Sequence, residues 1–269
     1  MANDLAKRFL DLHRERRPLL LPNVWDAGSA KLMRSFGFDA LATTSSGHAA
    51  TLGRLDGSVT RDEALAHSAS IVAATDLPVS ADLENGFADD PEGVAETVTL
   101  ALQTGLAGCS IEDFTDDLDD PIYELDAARA RVAAAAQAAH GGSQTLVLTA
   151  RAENHIRGRP DLQDTITRLQ AYQEAGADVL YAPGLTSAGD IARVIKSVAK
   201  PVNVLARAGA PSIAELGELG VSRVSVGGAF AFAALGELRE AALELRDRGT
   251  YSFLERAGAG QRAVREAFL

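Results

Sequence analysis

Short apolar runs alternate with longer, alanine-rich amphipathic stretches along almost the whole chain. The apolar runs begin near Leu19, Ala40, Pro78, Gly108, Thr145, Asp178, Pro201 and Arg223. The amphipathic stretches span residues 27–36, 62–75, 92–106, 125–139, 161–175, 187–198, 212–219 and 229–247. Strands that alternate with helices form right-handed crossovers in a parallel sheet. The eight pairs of segments therefore predict an α/β fold, a closed (β/α)8 TIM barrel rather than an open doubly wound sheet.

The junctions between a helix and the following strand carry a repeated glycine. Gly37, Gly176 and Gly220 each stand where the end of a helix favours a positive φ. No G-x-G-x-x-G motif follows the first strand, so a dinucleotide site has no support. Residues 1–17 predict a short N-terminal helix, and residues 250–269 predict a C-terminal amphipathic segment suited to contacts between subunits.

The composition is that of a globular protein, with 46% hydrophobic and 23% charged residues. No linker divides the chain, so residues 1–269 are expected to form one domain. The net charge is 26 − 37 = −11, which disfavours nucleic acid and anionic membranes as partners. The single cysteine, Cys109, excludes an internal disulfide and fits a reducing compartment. Neither a long apolar run nor the apolar core of a signal peptide is present, so we expect a cytoplasmic protein.

Two acidic residues follow the apolar run that begins at Pro78. Asp82 and Glu84 are two positions apart, and on a strand this spacing directs both side chains to the same face. Two carboxylates on one face repel each other unless a cation lies between them, and Mg²⁺ prefers such oxygen ligands. The simpler interpretation is a strand end that meets solvent.

In a barrel of this kind, functional groups lie at the carboxyl ends of the strands and in the loops that follow. The polar residues at these ends are Trp25-Asp26, Thr44–His48 with a loop to Asp56-Gly57, Asp82 and Glu84, Glu112-Asp113, Arg151 with Glu153 and Asn154-His155, and Asn203. We expect Asp56, Asp82, Glu84 and Glu112 to converge on one mouth, with Arg151 opposite.

Structural roles are open for several of these residues. Asp56 precedes Gly57 and is also typical of a simple turn. Glu112 is compatible with a structural pair to an Arg on a neighbouring strand. Arg151 is compatible with a role in which Glu153 or Glu112, rather than a substrate carboxylate, holds it.

The remaining reactive side chains are more typical of structural roles than of catalysis or metal binding. His48 and His155 are more typical of loop or core histidines than of ligands. Cys109 lies inside an apolar strand, which favours a small buried hydrophobe without reactivity.

Seven motifs occur in order along the chain: Asn23–Ala30, Ser45-Ser46-Gly47, Leu52-Gly53-x-x-Asp56-Gly57, Ala81–Gly86, Ile111-Glu112-Asp113, Ala150-Arg151 and Val202-Asn203-Val204. With them the chain resembles the isocitrate lyase/phosphoenolpyruvate mutase superfamily nearly end to end. The resemblance implies a Mg²⁺-dependent barrel, with Mn²⁺ as the alternative ion, that assembles as a homo-oligomer (tetramer or dimer) and exchanges a C-terminal helix between subunits. Members cleave or form C–C or P–C bonds next to a 2-oxo acid.

The resemblance also implies a role for each matched residue. Asp82 would bind the metal directly, and Glu84, Glu112 and Asp56 would hold it through waters. The substrate, a small anionic carboxylate, would meet a further set of residues. That set comprises Ser45, Ser46 and Gly47 at its carboxylate or phosphonate end, Arg151 at an oxyanion, and Trp25 and Asn203 in the pocket wall.

One loop departs from the pattern of the superfamily. Its lyases carry a Lys-Lys-Cys-Gly-His loop after the fourth strand and its mutases carry lysines there, whereas residues 113–124 hold five aspartates and Glu124 without Lys, Cys or His. Such a run is expected to be mobile without ligand, and a plain solvated surface loop is the alternative. Phe87-Ala88 also replaces the more usual Tyr-Gly.

A mechanism without a thiol acid fits these residues. Mg²⁺ would polarise the ketone of a small 2-oxo acid of the oxaloacetate type, and loss of CO₂ would leave an enolate that the metal stabilises. We take Arg151, Glu112 and Tyr123 as the catalytic candidates, with water or Tyr123 as the proton donor. The alternatives are a lyase of the methylisocitrate or isocitrate type, a P–C bond enzyme of the phosphonopyruvate type, and a degraded barrel that only binds a metabolite.

Overall fold

The computed structural model describes the backbone of residues 2–269 and the side chains from residue 4 onward, and its strands form one parallel sheet. The strands are β1 (Leu19–Leu21), β2 (Asn23–Val24), β3 (Leu41–Thr43), β4 (Val79–Asp82), β5 (Gly108–Glu112), β6 (Val147–Arg151), β7 (Val179–Tyr181), β8 (Val202–Leu205) and β9 (Arg223–Ser225). Their order is β1-β9-β8-β7-β6-β5-β4-β3-β2. The sheet therefore curls into a nearly closed barrel.

The first predicted strand is divided in two by Pro22. Proline has no N–H to donate, so it interrupts the ladder, although its carbonyl still accepts a hydrogen bond from the Ala42 N–H at 3.0 Å. On one side of Pro22, β1 pairs with β9, and on the other side β2 pairs with β3. The two halves of this strand join the ends of the sheet, and the predicted eight-unit (β/α)8 barrel is confirmed.

The helices surround the sheet. They are α1 (Ala2–Leu12), α2 (Ala27–Ser35), α3 (Ser45–Thr51), α4 (Arg61–Val72), α5 (Pro91–Leu102), α6 (Leu125–His140), α7 (Leu162–Glu174), α8 (Ala188–Ser197), α9 (Ile213–Leu219), α10 (Ala229–Leu243, followed by a π-helical turn Glu244–Arg248) and α11 (Leu254–Phe268). The sequence predicts a loop from His48 to Asp56. The first part of this prediction is wrong, because α3 continues to Thr51. Ser and Gly are weak helix formers, so the sequence hides this helix.

Helix α1 closes the amino end of the barrel. The ring of Phe9 is fully buried and packs against apolar side chains of the inner strands, which include Leu19, Leu21, Val147 and Val179. Gly108 allows this approach, because a Cβ at that position would come within 2.9 Å of the Phe9 ring. With the amino end filled, a ligand can reach the barrel interior only from the carboxyl ends of the strands.

Helices α10 and α11 carry apolar side chains that the chain itself does not cover. The exposed fractions on α10 are 37% for Phe230, 51% for Phe232, 45% for Leu235 and 64% for Leu238. Helix α11 packs along α2 but has no buried residue. The exchange of a C-terminal helix between subunits stays a prediction. Within residues 2–269, no helix has both the length and the apolar character needed to cross a membrane.

Replacing Phe9 tests the role of α1 as a plug. Phe9→Ala should lower the free energy of unfolding by about 3–5 kcal/mol, because it removes a fully buried ring and leaves a cavity. Urea unfolding followed by circular dichroism measures the change. Phe36→Ala is the matched control, since this ring is 60% exposed and its loss should cost less than about 0.5 kcal/mol. Equal losses in both variants would contradict the role of Phe9.

Candidate active site at the carboxyl end of the barrel

One row of paired residues crosses the sheet and gathers polar side chains from neighbouring strands. Glu112 of β5 pairs with Arg151 of β6, and Arg151 pairs with Tyr181 of β7. Tyr181 pairs with Asn203 of β8, and Asn203 pairs with Arg223 of β9. Paired residues on adjacent parallel strands lie side by side, so five polar residues far apart in sequence become neighbours.

Arg151 is at the centre of the acidic residues at the mouth. Its Nη1 lies 2.9 Å from Asp82 Oδ1, and its Nη2 lies 3.0 Å from Glu112 Oε2 and 2.8 Å from Glu153 Oε1. Burial opposes the charge of the guanidinium, but Glu112, Glu153 and Asp82 outweigh it and raise the pKa of Arg151 well above its usual value. Glu153 and Glu112 therefore hold Arg151, together with Asp82, and Arg151 also lines the cavity beside Asp82, so its role in substrate binding stays a prediction.

Asp82 links Arg151 to the first turn of α3. Its Oδ2 accepts hydrogen bonds from the Ser45 hydroxyl at 3.1 Å and, more weakly, from the Ser45 N–H at 3.4 Å. The Thr43 hydroxyl accepts from the Asp82 N–H at 2.9 Å. A cavity of about 140 Å³ opens beside this carboxylate. Six of the predicted site residues line it: Ser45, Ser46, Asp56, Asp82, Arg151 and Asn203.

Glu84 does not share a strand face with Asp82, and this part of the prediction is wrong. Strand β4 ends at Asp82, and Glu84 has a φ of +50°, a conformation that no strand residue adopts. Its side chain lines a separate opening with Asn85 and Asp116. Glu84 therefore faces the acidic mouth from a turn, next to the cavity rather than within it.

Gly47 lies within α3, Trp25 packs against it, and neither residue lines the cavity. A Cβ on Gly47 would come within 2.6 Å of the Thr44 side chain and within 3.2 Å of the Cβ atoms of Trp25 and Ala231. The Trp25 carbonyl is hydrogen-bonded to His67 Nε2 at 2.9 Å. Both residues therefore fix the position of α3 and, through it, the positions of Ser45 and Ser46.

Tyr123 points away from the cavity. Its hydroxyl donates a hydrogen bond to Asp89 Oδ1 at 2.5 Å, and the Arg131 guanidinium lies 4.1 Å from the ring centroid. Burial and the bond to Asp89 raise the pKa of Tyr123 above its usual value. Tyr123 does not line the cavity, and its described hydrogen bonds join it to Asp89, Asp113 and Arg168.

The acidic loop of residues 113–124 is tied down by positive side chains from the loop after β6. Arg159 Nη2 lies 2.9 Å from Asp120 Oδ1, and the Arg157 guanidinium lies 3.5 Å from the centroid of the Phe114 ring. At the start of the loop, the buried Asp113 accepts from the Glu153 N–H at 2.7 Å. These contacts join the loop to the segment that holds Arg151.

The acids at the mouth fit a hard divalent cation by their chemistry. Burial, followed by the charges of Asp82, Asp56 and Asp116, raises the pKa of Glu84 to about 8, so the mouth has more acidic groups than its arginines balance. Among residues 4–269, no three acidic, histidine or cysteine side chains lie close enough to coordinate one ion together. Acids this far apart suit an ion that is bound by one carboxylate and several waters, as Mg²⁺ often is.

Comparison with known proteins identifies the family. The model of the phosphoenolpyruvate phosphomutase family matches residues 9–246. The chain belongs to this family. A crystal structure from Burkholderia cenocepacia J2315, described as a lyase or mutase, is 51% identical with a TM-score of 0.95, and the match covers 98% of this chain and 95% of that one.

The relatives of this chain include lyases and a decarboxylase. The 2-methylisocitrate lyase of Halalkalibacterium halodurans is 31% identical over 74% of this chain and 66% of that enzyme. Oxaloacetate decarboxylase 2 of Pseudomonas fluorescens is 26% identical over 83% of this chain and 77% of that enzyme. Mg²⁺ dependence is general in the superfamily. The predicted membership of the isocitrate lyase/phosphoenolpyruvate mutase superfamily, and the prediction of a lyase, are confirmed.

The sequence analysis did not identify the residues at the floor of the cavity, the end that lies farthest from the mouth. Arg223 donates from Nε to Asn203 Oδ1 at 2.9 Å, and Asn203 Nδ2 donates to the Ser225 hydroxyl at 2.9 Å. Tyr181 and Asn23 also line the cavity. The available signal was weak: a charged residue, Arg223, opens the last strand of the barrel.

The positions of His48, His155 and Cys109 agree with structural rather than catalytic roles. The His48 ring stacks on His67 with centroids 3.7 Å apart, and neither His48 nor His155 lines the cavity. Cys109 is fully buried, and burial raises the pKa of its thiol to about 12. A thiol of this kind is protonated at neutral pH and unreactive.

Labelling with a thiol reagent tests this assignment. The native protein should show no reaction of Cys109 over minutes, and the unfolded protein in urea should release one equivalent of thiol per chain. Absorbance after addition of a chromogenic disulfide reagent measures both. Rapid labelling of the native protein, with loss of activity, would mean that the thiol is accessible and takes part in catalysis.

Proposed function

We propose that the chain is a Mg²⁺-dependent lyase that acts on a small 2-oxo acid of the oxaloacetate type. It cleaves the carbon–carbon bond that lies one carbon away from the 2-oxo group, which in oxaloacetate is the C3–C4 bond. The observation that carries this proposal is the lining of the 140 Å³ cavity: serines, Asp82, Arg151 and Asn203, and no Lys, Cys or His among the described lining residues. Loss of CO₂ from a 2-oxo acid needs a carboxylate clamp and charge stabilisation but no acid catalyst at the bond that breaks.

The metal would be held by the acids of the mouth. Asp82 would be the direct ligand, and Glu84, Glu112 and Asp56 would hold the ion through waters, with Mn²⁺ as the alternative ion. When bound, the ion supplies a Lewis acid that polarises the 2-oxo group.

The side chains of the cavity have separate tasks in this reaction. The Ser45 and Ser46 hydroxyls donate to the substrate carboxylate, and the fork of Arg151 contacts the oxygen that gains negative charge. The bond between C3 and C4 breaks, its electron pair passes to the enolate, CO₂ leaves, and C3 takes a proton. We assign this proton to water, because Tyr123 donates to Asp89 outside the cavity.

A second candidate is cleavage of a 2-hydroxy di- or tricarboxylate, favoured by the 31% identity to a 2-methylisocitrate lyase. Two observations weigh against it. The loop of residues 113–124 has no thiol, and the buried Cys109 does not line the cavity.

The proposal extends to a homo-oligomer that uses α10. Phe232, Leu235 and Leu238 are 51%, 45% and 64% exposed on this single helix. Contiguous exposed apolar side chains of this kind mark contact surfaces. We infer that a second copy of the chain covers them.

Turnover of oxaloacetate tests the proposed reaction. Oxaloacetate with Mg²⁺ should disappear faster than in a protein-free Mg²⁺ control, with pyruvate as the product, and EDTA should stop the reaction until Mg²⁺ is restored. Coupled detection of pyruvate measures the rate. A rate no higher than the protein-free control for oxaloacetate would reject this substrate class.

Asp82→Asn tests the metal assignment in the same assay. The variant should stay folded, because asparagine keeps the shape of the side chain and Glu112 and Glu153 still pair with Arg151, but it should lose Mg²⁺ binding in calorimetry and lose activity. Asp76→Asn is the matched control, since Asp76 forms only an exposed pair with Arg34. Normal Mg²⁺ binding by Asp82→Asn would remove Asp82 as the direct ligand.

A charge on α10 tests the oligomer. Leu238→Glu should shift the chain towards a monomer in size-exclusion chromatography with light scattering, because a carboxylate would be buried in the contact. Leu118→Glu is the control, since Leu118 is 82% exposed in the acidic loop. A monomeric wild-type protein, or an equal effect of both changes, would contradict a contact through α10.

A further inference from the structure

Arg223 is a buried cation whose described hydrogen-bond partners are all neutral. The residue is 4% exposed at the start of β9. Its Nε donates to Asn203 Oδ1 at 2.9 Å, its Nη2 donates to the Thr149 hydroxyl at 3.2 Å, and its Nη1 lies 3.2 Å from His13 Nε2. Arg151, which lies three pairings away along the same row of strand residues, is paired with three carboxylates. Among residues 4–269, no acidic side chain is paired with Arg223.

The partner His13 cannot supply a negative charge and is fixed as the neutral form. Its Nδ1 lies 2.7 Å from the Phe9 carbonyl, which can only accept, so Nδ1 carries the proton. The lone pair of Nε2 then accepts from Arg223. Burial and the charge of Arg223 lower the pKa of His13 to about 3, in agreement with this tautomer.

The guanidinium remains charged at neutral pH. Burial lowers the pKa of Arg223 to about 10, and the charge of Arg151 acts in the same direction. A buried charge without a partner is unfavourable, so it is usually found where a ligand completes it. A guanidinium has five N–H donors. Its three described contacts leave donors available to a ligand in the cavity.

Small side chains keep the space next to Arg223 open. Barrel interiors are normally filled by bulky branched residues. Here Ala42 of β3, Ser80 of β4 and Ser110 of β5 line the same cavity of about 140 Å³ as Arg223. On this measure one water needs about 10–15 Å³, so the cavity has room for a small organic acid. The polar groups that line this cavity with Arg223 include the hydroxyls of Ser80, Ser110 and Ser225 and the amide of Asn203.

We propose that Arg223, with the hydroxyls of Ser80, Ser110 and Ser225, forms an anion subsite inside the barrel that takes the second carboxylate of a dicarboxylic 2-oxo acid. The choice of substrate rests on the proposed function, in which Ser45, Asp82 and Arg151 hold the 2-oxo acid end. The anion site itself is inferred from the burial of Arg223, from its neutral partners and from the cavity beside it. Its role is selection of dianions over monoanions.

This subsite acts on binding rather than on the chemical step. The contact between a guanidinium and the distal carboxylate is complete in the ground state, and it does not strengthen as that carboxylate loses its charge as CO₂. Interactions of this kind lower KM without raising kcat. Loss of Arg223 should therefore raise KM for oxaloacetate about tenfold or more and leave kcat equal or higher.

A matched pair of ligands tests the selectivity by calorimetry with Mg²⁺ present. Malate and 2-hydroxybutyrate differ only by a carboxylate in place of a methyl group. The wild-type protein should bind malate at least tenfold more tightly, and Arg223→Gln should remove this preference without changing the affinity for 2-hydroxybutyrate. Arg129→Gln, an exposed change on α6, is the control. No preference in the wild-type protein, or equal weakening of both ligands in Arg223→Gln, would overturn the assignment.

A second measurement does not depend on the proposed function. Crystals of the wild-type protein soaked in bromide should show an anomalous peak within contact distance of the Arg223 guanidinium, and crystals of Arg223→Lys or Arg223→Gln should show a weaker peak or none. If neither organic acid binds the wild-type protein, the proposed function fails while the bromide peak still supports the subsite. Absence of the peak in the wild-type crystals would overturn the subsite itself.

Discussion

The contact of Arg151 with three carboxylates is the constraint on which the mouth of the barrel depends. Asp82 comes from β4, Glu112 from β5, and Glu153 from the segment after β6. Each acid is buried or half-buried, and breaking one partner out of a buried pair costs about 3–5 kcal/mol. The three segments can therefore take their places only together. Because the Glu153 N–H also donates to Asp113, the first residue of the acidic loop is attached to this cluster around Arg151.

The part of the fold that follows from local pattern is predictable. Each strand and each helix has its own periodicity, and eight repeats of one unit close a barrel. The gathering of Asp82, Glu112 and Arg151 follows in turn, because the carboxyl ends of parallel strands share one edge. Glu84 departs from its predicted place because strand β4 ends at Asp82, and a backbone turn with a positive φ is not visible in the alternation of side chains.

The features that escape prediction are contacts between distant segments. His13 and Arg223 are 210 positions apart, and they meet only because α1 closes the amino end of the barrel. No local pattern shows that the partners of Arg223 are neutral, or that Tyr123 would bond to Asp89, 34 positions away, rather than turn inward. Whether a charge is compensated is a property of the tertiary structure.

The two ends of the cavity have opposite electrostatic character. For a ligand inside the cavity, this local polarity matters more than the net charge of the protein. The net charge of −11 repels anions at long range, but salt screens such fields beyond about 8 Å at physiological ionic strength. Inside the cavity, screening is weak, and the arrangement of single groups decides what binds. An acidic mouth attracts a cation, and the cationic floor at Arg223 attracts an anion. A dicarboxylic acid that chelates a divalent ion through one end has the same polarity, with its charges in the same order along its length.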